Sequence, residues 1–142
     1  MLEVKGIENG IVIDHMSAGN GLKVFNKLFA DTENPVVLLM NVQSKLFGRK
    51  DIIKIENTFE VDLNVLGLID PNITVNVIEN GKLVEKKKVE IPKVIKGVIT
   101  CSNPRCITHT DDYAIPEFKL ISANGRLKYE CSYCEEITTY KL

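Results

Sequence analysis

The residues of this chain best suited to chemistry are its four cysteines. "CSNPRC" begins at Cys101 and "CSYC" at Cys131, so a C-x4-C pair and a C-x2-C pair lie 24 residues apart. Short loops of this kind can aim two thiolates at one ion, and two such loops complete a shell of four sulfurs. Zinc suits that shell, because it accepts four thiolates at about 2.3 Å and makes no redox demand. Cys101, Cys106, Cys131 and Cys134 are therefore read as ligands of one structural Zn2+. Iron in a rubredoxin-like site is the alternative metal. Two disulfides, or reduced core cysteines, are the alternative without one. His109, three residues beyond Cys106, competes as a ligand by type, but with four thiols at hand it is read as a loop or interface residue. A redox role for Cys131-x-x-Cys134 is a further option, weakened by the second pair. Zinc ribbons serve many functions, so the metal accounts for the thiols and leaves function open.

The next chemistry is cationic. Lys50 and Lys54 share one face of a predicted strand, and "VEKKKVE" adds Lys86, Lys87 and Lys88. Such runs usually mark a solvated face. The functional reading is a site for polyanionic phosphate, with lysine as point charge, His15 as an added donor and Asp14 as an acceptor for ribose hydroxyls. Asp14-His15 is the sole acid–imidazole neighbour pair, and adjacent strand residues point to opposite faces unless a bulge intervenes. No Ser-His-Asp set, free Cys beside a His, Walker loop or G-x-G-x-x-G loop is present.

Composition bounds the partners. A net charge of −1 gives no general electrostatic case for nucleic acid or an anionic membrane. The longest apolar run, "PVVLLM" at 35–40, is too short to span a bilayer. The first twenty residues lack the basic start and apolar run of a signal peptide, so a cytoplasmic protein is expected, where paired cysteines stay reduced or bind metal.

The elements that must position these residues follow from hydrophobic period and turn chemistry. Residues 2–16 read as a hairpin turning at Asn9-Gly10, and 73–90 as a second one turning at Asn80-Gly81. Residues 20–30 place Leu22, Phe25, Leu28 and Phe29 on a helical stripe. Residues 35–42 read as a buried strand, and 50–58 as a strand with Ile53 and Ile55 on one face. Residues 58–70 read as a short helix weakened by Gly67. The order strand, helix, strand, strand, helix, strand, plus a hairpin strand, predicts an α+β domain: an antiparallel sheet covered by two helices on one face. Residues 91–98 read as a connector. Beyond it lie a hairpin around Asn124-Gly125 and the terminal strand "EITTYKL", a small all-β unit.

"VIDH" at 12–15, "GRKDIIKIENTF" at 48–59, "TVNVI" at 74–78, the C-x4-C and "CxYCE" at 131–135 together resemble the regulatory chain of aspartate carbamoyltransferase. The resemblance covers essentially the whole chain, in order. It implies a ferredoxin-like nucleotide-binding domain over 1–93 and a rubredoxin-like zinc domain over 94–142. It also implies a regulatory, non-catalytic subunit of pyrimidine biosynthesis. Regulatory chains would pair through their first domains and dock on catalytic chains through the zinc domain, three dimers bridging two catalytic trimers. CTP would inhibit and ATP activate, with UTP reinforcing CTP in some members. By matching position, Asp14, Lys54 and Asn76 would handle ribose and base, His15 and Lys86 the triphosphate, and Lys50 a second nucleotide or its metal ion. Backbone around Val4, Ile7, Ile78 and Gly81 would read the base edge. Lys5 stands where an acidic residue is expected and Gly81 where a bulkier one is. "SNPR" differs in detail from other members, and Glu135 is a candidate interface residue. Residues 91–98 would act as the hinge. The rival readings are a nucleic-acid-binding zinc ribbon, opposed by the near-neutral charge, and an enzyme with structural zinc, opposed by the missing nucleophile–base pair.

Overall fold

The computed structural model describes residues 6–45, 48–124 and 126–140. The chain divides into two compact units, Met1–Glu90 and Ile91–Leu142.

The first unit runs β1 (Gly10–Ser17), α1 (Asn20–Val24), a π-helical turn (Phe25–Phe29), β2 (Val36–Ser44), β3 (Gly48–Glu56), α2 (Leu63–Ile69), β4 (Thr74–Glu79) and β5 (Lys82–Lys88). Its five strands form one antiparallel sheet in the order β2-β3-β1-β4-β5. The first four strands and two helices thus have the ferredoxin-like arrangement, and β5 is added by a hairpin. Strand alternation builds the core. Ile11, Ile13, Ile53, Ile55, Val75 and Val77 are buried on one face, whereas Val12, Lys54 and Asn76 on the other remain half-exposed. Each fully buried aliphatic side chain contributes about 1.5–3 kcal/mol, so the odd-numbered face dominates stability. Helix α1 packs on β1, β2 and β3 and against α2. Asp62 caps α2, its carboxylate accepting from Asn64 N and Val65 N at 2.9 and 3.2 Å.

Several expectations change. Of the hairpin over 2–16, residues 2–5 lie outside the described residues, and 6–9 are not a strand. Instead, Glu8 O accepts from Gly81 N and Asn9 O from Asn57 N, strapping this segment across the strand ends. Gly10 makes no turn; it opens β1, where any Cβ would collide with Ile55 O. The Asn80-Gly81 turn forms as read, with φ of 53° and 77°. Strand β2 is not buried: it is the sheet edge, leaving Val37 and Met40 exposed. The helical stripe also moves. Gly21, Val24 and Phe29 are buried while Leu22 is exposed, because the wider π turn brings residues five apart onto one side. The second helix is shorter than expected, beginning only at Leu63, and Gly67 is buried within it.

The second unit has β6 (Val94–Lys96), a 3-10 turn (Ile107–His109), β7 (Glu117–Ser122), β8 (Leu127–Cys131) and β9 (Ile137–Tyr140). These strands form an antiparallel sheet in the order β6-β7-β8-β9. Residues 94–96 are therefore a strand rather than plain connector, drawn into the sheet by Ile95, which is buried in register with Phe118. Tyr129 is fully buried, and its hydroxyl donates to Pro92 O at 2.7 Å.

Candidate functional site

The half-exposed face of the first sheet gathers the predicted polar residues. Lys54 on β3 pairs with Val12 on β1, Val12 with Asn76 on β4, and Asn76 with Lys86 on β5. Cross-strand partners share a face, so these four side chains make one row spanning roughly 14 Å at the usual strand spacing. The next row runs Asp14, Thr74, Lys88. Asn76 Oδ1 is buried with no hydrogen-bond partner among the described residues. A buried acceptor left unpaired costs about 1–3 kcal/mol, which a ligand donor would recover.

A β-bulge places Asp14 and His15. Across β1 and β3, Ile13 opposes Ile53 but Met16 opposes Asp51, so β1 carries one extra residue. His15 adopts φ 62°, and its N–H donates to Asp14 Oδ1 at 2.6 Å. Asp14 also forms an ion pair with Lys50, at 3.0 Å to Oδ1, with both side chains less than a fifth exposed. His15 Nδ1 lies 3.2 Å from Thr74 Oγ1. The ring therefore enters a cleft of 400 Å3 that Thr74, Lys86 and Lys88 also line. A second cleft, of 270 Å3, brings Ile7 and Lys54 together with Glu8 and Val37. Ile78 lies at the hairpin end of the same face, paired with the exposed Leu83. Val4 lies outside the described residues.

Sequence reading grouped Lys86, Lys87 and Lys88 without separating them by face, and it passed over Thr74 and Leu83. Lys88 shares its face with Lys86 by simple alternation, whereas Lys87 points the other way and pairs with Glu85 at 3.8 Å. Thr74 and Leu83 carried no signal beyond strand position. Asp51 is structural: fully buried, it accepts from the backbone N–H groups of Gly19, Gly21 and Asn41. Asp70, also buried, accepts from Ser17 N, Asn20 Nδ2 and Asn72 N. The two carboxylates fix the turn that follows the bulge.

In the second unit all four cysteine sulfurs lie within 4.8 Å of one another. Cys101, Cys106 and Cys131 are buried and Cys134 is half-buried. The nearest cross-loop separations are 3.6 Å, Cys101 to Cys134, and 3.7 Å, Cys106 to Cys131, so the thiols are unbonded to each other. The loops are set by local turns. Cys106 N donates to Asn103 O, and Glu135, at φ 65°, donates to Cys131 O. The donor set fits a soft divalent ion. Thr108 donates through both its hydroxyl and its backbone N–H to Cys106, holding that thiol down to about 6, whereas burial pushes Cys101 up to about 12 and raises Cys131. Four such thiols can all ionise together only around a cation. His109 is not among these ligands; its Nε2 lies 3.0 Å from Cys101 O.

Comparison with known proteins gives a family for each of the two units. Residues 2–90 match the family described as aspartate carbamoyltransferase regulatory chain, allosteric domain, and residues 93–142 match its metal binding domain. The chain is 52% identical over 139 residues to the aspartate carbamoyltransferase regulatory chain of Clostridium botulinum, covering 96% of this chain and 94% of that one. The Clostridium tetani chain of that name is 49% identical, with 96% of each covered. That of Bifidobacterium longum is 46% identical over 136 residues, covering 95% of this chain and 97% of its own length. The chain belongs to the aspartate carbamoyltransferase regulatory-chain family, a non-catalytic subunit with an allosteric domain and a metal-binding domain.

Proposed function

We propose that the allosteric domain binds CTP as inhibitor and ATP as activator on the half-exposed face of its sheet, with UTP as a further effector alongside CTP. The observation that carries this reading is the row Lys54, Val12, Asn76, Lys86, with its unpartnered Asn76 Oδ1. In it, Lys86, Lys88 and His15 would hold phosphate oxygens around the 400 Å3 cleft. Asn76 would accept from a ribose hydroxyl or base amine, and Lys54 would serve the same part of the nucleotide. Backbone at Ile7, Ile78 and Gly81, with Val4 beyond the described residues, would read the base edge. Asp14, both of whose oxygens lie within 3.3 Å of Lys50 Nζ, would use a remaining lone pair on ribose or let Lys50 serve a second nucleotide.

The metal in the second domain is read as zinc, held by Cys101, Cys106, Cys131 and Cys134. Bound there, zinc supplies no catalysis; it cross-links the two cysteine loops and stabilises a small domain with few aromatic residues. As a regulatory chain, the protein has the catalytic chain of aspartate carbamoyltransferase as partner, and we assign that contact to residues 94–142. A regulatory homodimer would use residues 1–93, where the edge strand β2 exposes Val37 and Met40. No described helix is long and apolar enough to cross a membrane. We place the protein in the cytoplasm, where pyrimidine biosynthesis proceeds. Regulation would require a difference in nucleotide affinity between two assembled states, typically about 1–3 kcal/mol.

The direct test is calorimetric titration of CTP into the zinc-loaded chain. Saturable binding that weakens about tenfold or more in Lys86→Ala is the expected result. Binding that is unchanged in the variant would remove Lys86 from the site, and no binding by the parent chain would refute the effector reading.

A further inference from the structure

The 3-10 turn that follows Cys106 directs two side chains back at the cysteine cluster. His109 Nε2 meets the carbonyl of Cys101 at 3.0 Å. Thr108 Oγ1 donates to Cys106 Sγ at 3.2 Å. Among the described residues this is the one side-chain hydroxyl that donates to a cysteine sulfur. The hydroxyl belongs to neither loop that supplies the ligands. It sits on the turn immediately beyond the first loop, whose position is fixed by His109 N to Cys106 O at 3.1 Å and Thr110 N to Ile107 O at 3.1 Å. The backbone from which Thr108 projects is therefore fixed, and its side chain is half-buried.

We propose that Thr108 is a positioning residue for the metal, its hydroxyl anchoring Cys106 as the thiolate that leaves the ion last. The inference rests on the reading of the four cysteines as ligands of one ion. A sulfur that accepts an O–H bond is held in one orientation and has one lone pair covered, so it is less readily swung out of the shell or alkylated. Cys106 is also buried, whereas Cys134 is the half-exposed member of the set. Dissociation of the metal thus begins at Cys134 and ends at Cys106.

The test uses the full chain purified with zinc and verified by elemental analysis to hold one zinc per chain. Zinc release is followed with an excess of a metallochromic dye, for the parent, Thr108→Val and Thr108→Ser. Valine keeps the shape and removes the O–H; serine keeps the O–H. Release about tenfold faster for Thr108→Val, with Thr108→Ser near the parent rate, is the expected result, as one hydrogen bond to a charged acceptor is lost. Equal rates for Val and parent, or a Ser variant as fast as Val, overturn the inference. Limited labelling with N-ethylmaleimide, mapped by peptide mass, should modify Cys134 ahead of Cys106 in the parent and bring Cys106 forward in Thr108→Val. Cys106 labelled first in the parent also overturns it. Should Thr108→Val lose its zinc during purification, Thr108→Ala and Thr108→Ser decide instead. Retention by Ser alone supports the hydroxyl, and loss by both assigns the effect to packing and sinks the proposal. A parent chain that holds no metal at all refutes the four-thiolate reading itself, an outcome distinct from a zinc-bearing parent whose release is insensitive to residue 108.

Discussion

Replacing Asp51 by asparagine should destabilise the first unit by roughly 3 kcal/mol. Asp51 is 0% exposed, yet its carboxylate is well solvated by the protein. Oδ2 accepts from Gly19 N and Gly21 N, each at 2.9 Å, and Oδ1 accepts from Asn41 N at 3.0 Å. An asparagine carbonyl can keep only one side of that pattern. Keeping the pair at Gly19 and Gly21 points the new amide group at the N–H of Asn41, donor against donor. One charge-assisted bond is then lost outright, worth about 1.5–3 kcal/mol, and two are demoted to neutral bonds. No rotation relieves the problem, because Gly21 is packed so closely that even a Cβ there would lie 2.7 Å from Asp51 Cβ. Urea unfolding followed by circular dichroism, with zinc in excess so that the second unit is unaffected, gives the measurement. At a typical slope of about 1–3 kcal/mol per molar urea, the midpoint of the first unit should fall by about 1–3 M. A loss below about 0.5 kcal/mol would show that the three N–H donors find other partners, and the structural role given to Asp51 would be wrong.

Three further outcomes are expected. Stripping zinc with a chelator should release the chain from its catalytic partner while leaving CTP binding within about twofold, since the nucleotide face and the cysteines belong to different units; size-exclusion chromatography and calorimetry check the two halves, and normal assembly of stripped chain would refute it. Tyr129→Phe should cost the second unit about 1–1.5 kcal/mol by leaving Pro92 O without its 2.7 Å donor, measured as a shift in thermal midpoint. The Lys96 ammonium, 3.3 Å from Glu117, holds that carboxyl below the usual carboxylate range, with Ser132 assisting. Because the folded pKa is the lower one, the stabilisation is present above the ordinary glutamate pKa and fades as pH falls through the folded value. Lys96→Ala should therefore move the NMR titration midpoint of Glu117 upward, and an unmoved midpoint would dismiss the pair.

What the sequence made legible was whatever depended on alternation or spacing. Ile53 and Ile55 fell on the buried face and Lys50 and Lys54 on the other because a strand has period two, and Asn80-Gly81 made its turn because those residues tolerate positive φ. The four cysteines met because their loops are short. The misses share a different cause, tertiary context. Strand β2 is as apolar as a central strand, and nothing local says that it ends the sheet. Leu22 fits a regular helical stripe, but the π turn after Val24 re-phases the face. Gly10 beside Asn9 carries a hairpin signal, yet its lack of a side chain serves close passage beneath Ile55 O. The cationic reading put Asp14, His15 and Lys50 at one site, but strand alternation alone separates Asp14 from His15, and the bulge that reconciles them carried no local signal.

The extra residue in β1 also governs how this surface can change over generations. Before it, Ile11 and Ile13 are the buried positions; after it, Met16 is, so the inward phase of the strand slips by one. Asp14 and His15 occupy the slip. Either can be exchanged for another side chain with little effect on the core, and the surface can thus retune its ligand by substitution. Deleting one of them would restore simple alternation with Met16 still inward, opposite Asp51, so the core would keep its register while the side-by-side placement of Asp14 and His15 would be lost. The core is thus indifferent to the extra residue, and the polar site depends on it. Among divergent regulatory chains, a shortening by one residue between Ile13 and Met16 should therefore accompany loss of this polar pair rather than loss of the fold.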